Sequence, residues 1–403
     1  MKRTSSLLIA CFLLTAYCIV ITLAGCGRDF DLKKPNTQSQ VAGAVIVAAG
    51  AAALYAVAQK PAAPYYPPVT TTITSTTTTR GLVTTTTDPS VSTTTTTLGP
   101  PWDLVTAAAA FPSREGHAVV AFDDGSGEKM WLLGGVDSVR TPNVHYRDVW
   151  SSTDGVTWTL ATAEANFTSR ESFACVVADL GSGRRLWVIG GNDATTSYGD
   201  VWSSTNGISW ECATTEAQFG PRDGHTAVLH NSRLWVIAGE DAPNSSSSGL
   251  NSDVWSSSDG AVWTQEASAT SFGIRYRHSS TPFNGKMWVA GGWSGVDDRR
   301  DAWSSTDGLS WSEATEPPFF AREGFSLLTS NGGTKLWVLG GQGFAYFQDA
   351  WYSTDGNNWT MQTNNIFNGK PRNRLAAVDY NGKIWAIGGY DGHVYNDVWS
   401  YTP

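Results

Sequence analysis

The sequence predicts an all-β fold, six four-stranded blades set in a ring as a six-bladed β-propeller, over residues 102–403. Three observations carry this. First, the stretch Asp148-Val149-Trp150-Ser151-Ser152-Thr153-Asp154-Gly155-Val156-Thr157-Trp158 returns almost word for word at Asp200 to Trp210, Asp253 to Trp263, Asp301 to Trp311 and Asp349 to Trp359, and a sixth copy begins at Asp397. Its first Trp recurs at spacings of 52, 53, 48, 48 and 48 residues. A period of about 50 indicates a stack or ring of supersecondary units. Second, each repeat carries four strand signals. Third, the two ends of the repeat region complement one another.

Within each repeat the strands are a to d. Strand a is led by arginine: Arg114-Glu115-Gly116-His117-Ala118, then Arg170, Arg222, Arg275, Arg322 and Arg372. Strand b is an apolar run ending in glycine, as in Met130-Trp131-Leu132-Leu133-Gly134-Gly135, and such a run reads as buried on both faces. Strand c is Asp-Val-Trp-Ser-Ser. The Asp154-Gly155 corner predicts a two-residue hairpin, because both central residues of that turn need positive φ. Trp158 opens strand d. Taken together, the double glycine closing strand b and the Trp marking strand d resemble the kelch family, which implies a ring of such blades. The resemblance covers about three quarters of the chain. The double glycine departs once, at Ala238-Gly239.

Ahead of the ring, Met1-Lys2-Arg3, the apolar run Leu7 to Leu23 and Leu23-Ala24-Gly25-Cys26 resemble a bacterial lipoprotein signal. That resemblance implies cleavage after Gly25, so that residues 1–25 leave, and lipidation of Cys26. Residues 26–60 then hold Val41 to Ala58, 18 uncharged residues rich in Ala, Gly and Val. This segment is long enough to span a membrane, to lie in one beside the lipid, or to pack against copies of itself, and the three readings stay open. Residues 61–101 read as a disordered Pro- and Thr-rich linker, with Arg80 and Asp88 the only charges between Thr70 and Thr97. A flexible chain of about 40 residues reaches roughly 35 Å end to end, enough to hold a ring off a surface. The chain is therefore expected to be exported and membrane-anchored in a bacterial envelope, on the outer membrane or cell surface.

Trp102 stands nine residues before Phe111, as Trp158 stands nine before Phe167. The region thus starts with a strand d that lacks a, b and c, and finishes with a strand c that lacks d. Residues from 102 are expected to pair beside Asp397 to Tyr401, closing the last blade and removing an open edge. Composition agrees: of 19 Trp, six fall in strand b, six in strand c and six at the start of strand d, which leaves Trp293 outside the pattern. Such aromatic density is core. A net charge of −9 argues against a nucleic-acid partner, which needs a basic face.

No residue set reads as catalytic or metal-binding, and no cofactor is implied. His117, His225 and His278 share a strand-a position with Phe173, Phe325 and Leu375, which marks a packing slot. His145, His230 and His393 lack zinc spacing. Cys175 and Cys212 fall in strands a and d of one blade, about 14 Å apart at ~4.8 Å per step. That is too far for a disulfide, which needs Cα atoms within about 7 Å, so both are expected to be free. Galactose oxidase shares the kelch-type ring, but its copper constellation has no counterpart here. Sialidases carry propeller boxes in which Asp and Gly are one residue further apart than Asp154 and Gly155. The six arginines repeat once per blade and are expected to pair with backbone or a neighbouring carboxylate.

What differs between blades points to function. The b–c connections, all on one face, run Val136 to Arg147, Asn192 to Gly199, Glu240 to Ser252, Trp293 to Arg300, Gln342 to Gln348 and Tyr390 to Asn396. They hold the candidate binding residues Trp293, Asp297, Asp298, Arg299, Arg300, Phe344, Tyr346, Tyr390, His393 and Tyr395. Aromatics mixed with charges suit a protein or a glycan. The expected function is a non-catalytic, surface-anchored binding scaffold. The alternative is an exported sugar-acting enzyme of the mutarotase or epimerase type, since exported kelch-like rings include a sialic acid mutarotase. Contacts spread along one rim would favour the scaffold. Carboxylates, arginines and aromatics gathered at the central mouth would favour the alternative.

Overall fold

A computed structural model describes residues 101–241, 249–330 and 332–403. Cys26, segment 41–58 and the linker up to Pro100 lie outside the described residues. Every named element is a β-strand, and six four-stranded sheets each run a-b-c-d from the centre outward. Blade one is Ala118–Asp123, Glu128–Leu133, Val149–Ser152 and Thr159–Thr162. The inner strands of neighbouring blades touch in sequence around the whole circle, with Ala376–Tyr380 of blade six returning to Ala118–Asp123. This is an all-β, six-bladed propeller.

The sheet of blade six is drawn from both ends of the ring. Asp103–Thr106 pairs with Val398–Tyr401, placing Asp103 opposite Ser400 and Leu104 opposite Trp399. A bulge shifts the register before Thr106, which lies opposite Val398. Strand d of blade one repeats that register and bulge, with Thr159 opposite Ser151, Leu160 opposite Trp150 and Thr162 opposite Val149. Trp102 is buried at 5 % exposure and stacks on Tyr401 at 5.4 Å.

Each blade is locked by a buried ion pair. Arg114 is fully buried; its Nη1 donates to Asp148 Oδ1 at 2.7 Å and its Nη2 to Oδ2 at 2.8 Å. Nη1 also donates to the Gly134 carbonyl at 2.7 Å, and Trp150 Nε1 donates to Asp148 Oδ2 at 2.7 Å. The same guanidinium lies over the ring of Tyr146, 4.3 Å from its centroid. The planar fork of arginine suits a carboxylate bidentately, which is why a buried cation can be held here. Arg170–Asp200, Arg222–Asp253, Arg275–Asp301, Arg322–Asp349 and Arg372–Asp397 repeat the pair. The six arginines are therefore structural, bound to both backbone and carboxylate. They stand before strand a and not in it, which corrects the reading of an arginine-led strand: Glu115 makes an isolated bridge to Val136, and the ladder starts at Ala118.

The c–d corner is also different from the two-residue hairpin. It runs from Ser152 to Thr159, and Gly155 takes φ 72° while Asp154 is not left-handed. The carboxylate of Asp154 accepts from the N–H groups of Val156 (2.8 Å) and Thr157 (2.7 Å), and Ser152 Oγ accepts from Gly155 N (2.9 Å). These bonds hold the Asp154 carboxyl below its ordinary range, although its partial burial works the other way. Glycine is required for a second reason. A Cβ on Gly155 would come within 2.2 Å of the Trp385 ring of the preceding blade, and Gly207 meets Trp131 in the same way. Blade-to-blade packing thus runs from strand-b tryptophan to corner glycine.

Candidate functional site

The centre of the loop face is built by the three residues that begin each blade. The third of them forms a collar of six backbone hydrogen bonds. Ser172 N donates to Gly116 O, Gly224 N to Ser172 O, Arg277 N to Gly224 O, Gly324 N to Arg277 O, Arg374 N to Gly324 O and Gly116 N to Arg374 O, at 2.6–3.0 Å. All six residues are left-handed, with φ between 51° and 61°. Glycine does this freely. Ser172, Arg277 and Arg374 do it at roughly 1–2 kcal/mol each. Strain of this kind persists where the surroundings over-determine it, often at functional sites.

Immediately outside the collar stand Glu115, Glu171, Asp223, Tyr276, Glu323 and Asn373, each fixed by a backbone bridge to the residue that follows strand b: Val136, Asn192, Glu240, Trp293, Gln342 and Tyr390. The two charged collar residues reach into this mouth. Arg374 donates to Glu171, to Glu115 Oε2 at 3.1 Å and to Ser172 Oγ at 3.1 Å. Arg277 lies 3.7 Å from Glu323 Oε1, and over the Tyr276 ring at 4.7 Å. His145 Nε2 is 3.2 Å from Glu171 Oε1, and burial lowers the affinity of this imidazole for a proton.

Electrostatics sets the mouth apart from the scaffold. Burial, then the neighbouring Glu240, push the Asp223 carboxyl up to about 7, against the pull of Arg277. Burial, then Glu323 and Asp297, push Asp298 up to about 6. Burial raises Glu323 too, opposed by Arg277. Desolvation disfavours the charged form, and a like charge adds to it. Several polar atoms here are buried without a partner: Asp223 Oδ1, Asn373 Oδ1 and Arg277 Nε. Among the described residues no group of three or more His, Cys, Asp or Glu could hold a metal ion.

The ten loop residues singled out in the sequence divide between the mouth and its surroundings. Trp293 is half-buried, and its backbone exchanges two hydrogen bonds with Tyr276, at 2.8 and 2.9 Å. Asp298 is beside Glu323, Tyr390 is bridged to Asn373, and Tyr346 meets the Tyr390 ring edge-on at 6.0 Å. These four border the mouth. Tyr395 lies under the Arg372 guanidinium at 3.9 Å, so it is part of a blade lock. Arg299 receives the N–H of Arg322 on its carbonyl, the same backbone position that Tyr395 takes toward Arg114. Arg300 turns to Glu316, beyond strand d. Asp297 accepts from Ser294 Oγ, and His393 is exposed beside Asp391. Phe344 is 77 % exposed and packs on Phe320 at 4.9 Å.

Sequence reasoning missed the ring Glu115, Glu171, Asp223, Tyr276, Glu323 and Asn373. A signal was present: each follows an invariant repeat arginine yet differs between blades, the same contrast that marked the b–c loops. Elsewhere, one surface hollow is lined by Arg185, Trp187, Cys212 and Asp259 and another by Phe219, Arg222, Asn251 and Asp253. Both draw on scaffold residues. Cys175 and Cys212 are free, and burial pushes the Cys175 thiol up to about 12.

No curated protein matches the chain. Among solved structures it is similar to one titled "Structure of YjhT", at 15 % identity and a TM-score of 0.58, over 73 % of this chain and 96 % of that one. Residues 204–376 match the DUF6242 beta propeller domain, and by fold the described chain is a six-bladed β-propeller.

Proposed function

We propose that this chain is an envelope-anchored binding ring of the kelch type, and that its ligand, a carbohydrate, seats in the central mouth of the loop face. One observation carries the reading. The mouth gathers carboxylates, two strained arginines and the aromatics Tyr276 and Trp293, and it leaves Asp223 Oδ1, Asn373 Oδ1 and Arg277 Nε without partners. Buried polar atoms are normally satisfied, so unsatisfied ones gathered around the ring axis mark a place where a polar ligand would complete the bonding. The strand from Asp103 acts as the clasp that keeps the ring closed. Lipid on Cys26, with segment 41–58 as a second membrane contact, holds the ring at the envelope through the linker.

The test separates contact from packing. Trp293→Ala is expected to leave the melting temperature within a degree or two while weakening glycan capture by the full-length protein. Trp303→Ala removes a scaffold indole that donates to Asp301 at 2.8 Å, and should lower the melting temperature. Capture that ignores Trp293 and Tyr276, or that maps to Phe344 and Arg300 instead, would place a protein partner on the rim and defeat the carbohydrate reading.

The alternative, a sugar mutarotase or epimerase, is favoured by two features: the carboxylates, arginines and aromatics gather at the central mouth and not along one rim, and a carboxyl near 7 at Asp223 is poised to exchange a proton at neutral pH. Anomer exchange of a bound sugar, followed by NMR, should then accelerate and be lost in Asp223→Asn. Equal exchange with and without protein leaves only binding.

A further inference from the structure

Resting on the reading of the mouth as a carbohydrate site, we propose that it selects a ligand bearing a protonated amine, an amino sugar. The ring just outside the collar places four carboxyl groups, Glu115, Glu171, Asp223 and Glu323, against the two guanidinium groups of collar residues Arg277 and Arg374. Arg374 is already committed to Glu115, Glu171 and Ser172. Arg277 approaches Glu323 no closer than 3.7 Å. Asp223 has no cation in contact. Its Oδ2 accepts from Ser197 Oγ at 3.5 Å, and its Oδ1 has no partner although the residue is only 1 % exposed.

Two further observations give the missing group its chemistry. Glu240 and Asp223 exchange backbone hydrogen bonds of 2.9 Å, which sets a second carboxyl on the adjoining segment. Asn373, in the blade opposite Asp223, donates through Nδ2 to Gln342 Oε1 at 2.6 Å while its Oδ1 goes without a partner. The unsatisfied oxygens of blades three and six are therefore acceptors in an acidic setting. An ammonium group supplies donors, no acceptor and a positive charge. A carboxylate ligand would add acceptors and repulsion, and an uncharged hydroxyl would leave the excess charge where it is. Among the described residues no three His, Cys, Asp or Glu side chains come together closely enough to hold a metal ion. The Tyr276 ring already carries the Arg277 guanidinium at 4.7 Å, so the cation-accepting groups left in this space are the carboxyl and amide oxygens.

Calorimetry on the full-length lipidated protein in detergent at about pH 7 tests this, with glucosamine, N-acetylglucosamine and glucuronate as probes. Glucosamine is expected to bind at least tenfold more tightly than N-acetylglucosamine, with no heat from glucuronate. Asp223→Asn should reduce that preference below threefold with the melting temperature retained or raised, because it removes a carboxyl crowded by Glu240. Glu323→Gln, on the far side of Arg277, provides a second variant should the first misfold. Equal or tighter binding of N-acetylglucosamine or glucuronate, altered by either substitution, overturns the amine and keeps the mouth. A glucosamine preference untouched by both substitutions overturns the mouth as well. No heat from glucosamine at 10 mM overturns the amine alone, the Trp293→Ala capture assay then judging the mouth.

Discussion

At the scale of single residues, the same types do opposite jobs at neighbouring positions. Arg275 is fully buried and answered twice by Asp301, while Arg277, two residues on, is left-handed and comes only within 3.7 Å of Glu323. Breaking a lock leaves an uncompensated buried charge, which typically costs 3–5 kcal/mol. Asp301→Asn should therefore lower stability by about 3–5 kcal/mol in urea melts, and a loss under 1 kcal/mol would show the pair to be ornamental. The histidines just ahead of strand a, His117, His225 and His278, make a second case. Burial, then nearby arginines, bring His117 and His225 down to about 3, and His278 goes well below its ordinary value. They are neutral in the fold, whereas the unfolded chain protonates them below about 6.5. Their stability is present above that pH and is lost as pH falls, by about 2 kcal/mol each at pH 5 for His117 and His225, with His278 acting in the same direction. Asp223, raised by burial and Glu240, works in the opposite direction and gains on acidification. A His117→Phe/His225→Phe/His278→Phe variant, using the residue that blades two and five already carry, should flatten the acid limb between pH 7.5 and 5. An unchanged limb would exclude these imidazoles as its cause.

At the scale of elements, the strand Asp103–Thr106 is the informative one. It shares its bulge with the outer strands of blades one, two, three and five, yet it has no corner joining it to strand c of its own blade. In blades one to four the strand-d indole donates to the corner glycine, as Trp158 does to Gly155 O at 3.1 Å, while Trp359 of blade five does not. Without a corner, Trp102 donates to Gln362 Oε1 of blade five at 3.1 Å instead. Burying that indole argues for a cost of about 3–5 kcal/mol on Trp102→Ala. A chain starting at Phe111 should melt well below one starting at Pro100 and aggregate through the bared edge of Val398–Tyr401. Coincident melting curves would show that the ring closes without the strand.

At the scale of the whole molecule, the expected arrangement is a ring on a tether. Cys26→Ala should leave an uncut precursor, visible as a mass increase of the signal over the mature chain; a mature-sized Cys26→Ala product that partitions like wild type would rule out the lipid anchor, whereas membrane retention alone would not, given segment 41–58. Blade number, strand order and core were legible in the chain because a repeat prints its packing once per period: Trp150, Trp202, Trp255, Trp303, Trp351 and Trp399 each donate to the Asp two residues before them. The c–d corner was misread because Asp-Gly fits two turn geometries, and the choice is made by Trp385 packing against Gly155 from the preceding blade. Trp293, Asp298, Tyr346 and Tyr390 could be found because loops that break the repeat are visible as sequence. The convergence of Glu115, Glu171, Asp223, Glu323, Arg277 and Arg374 could not. Each is one residue in its own blade, separated by about 50 positions from the next, and only closure of the ring brings them around one axis. Their burial, and the charge imbalance that follows from it, exist nowhere in the linear order and were decided by the tertiary structure.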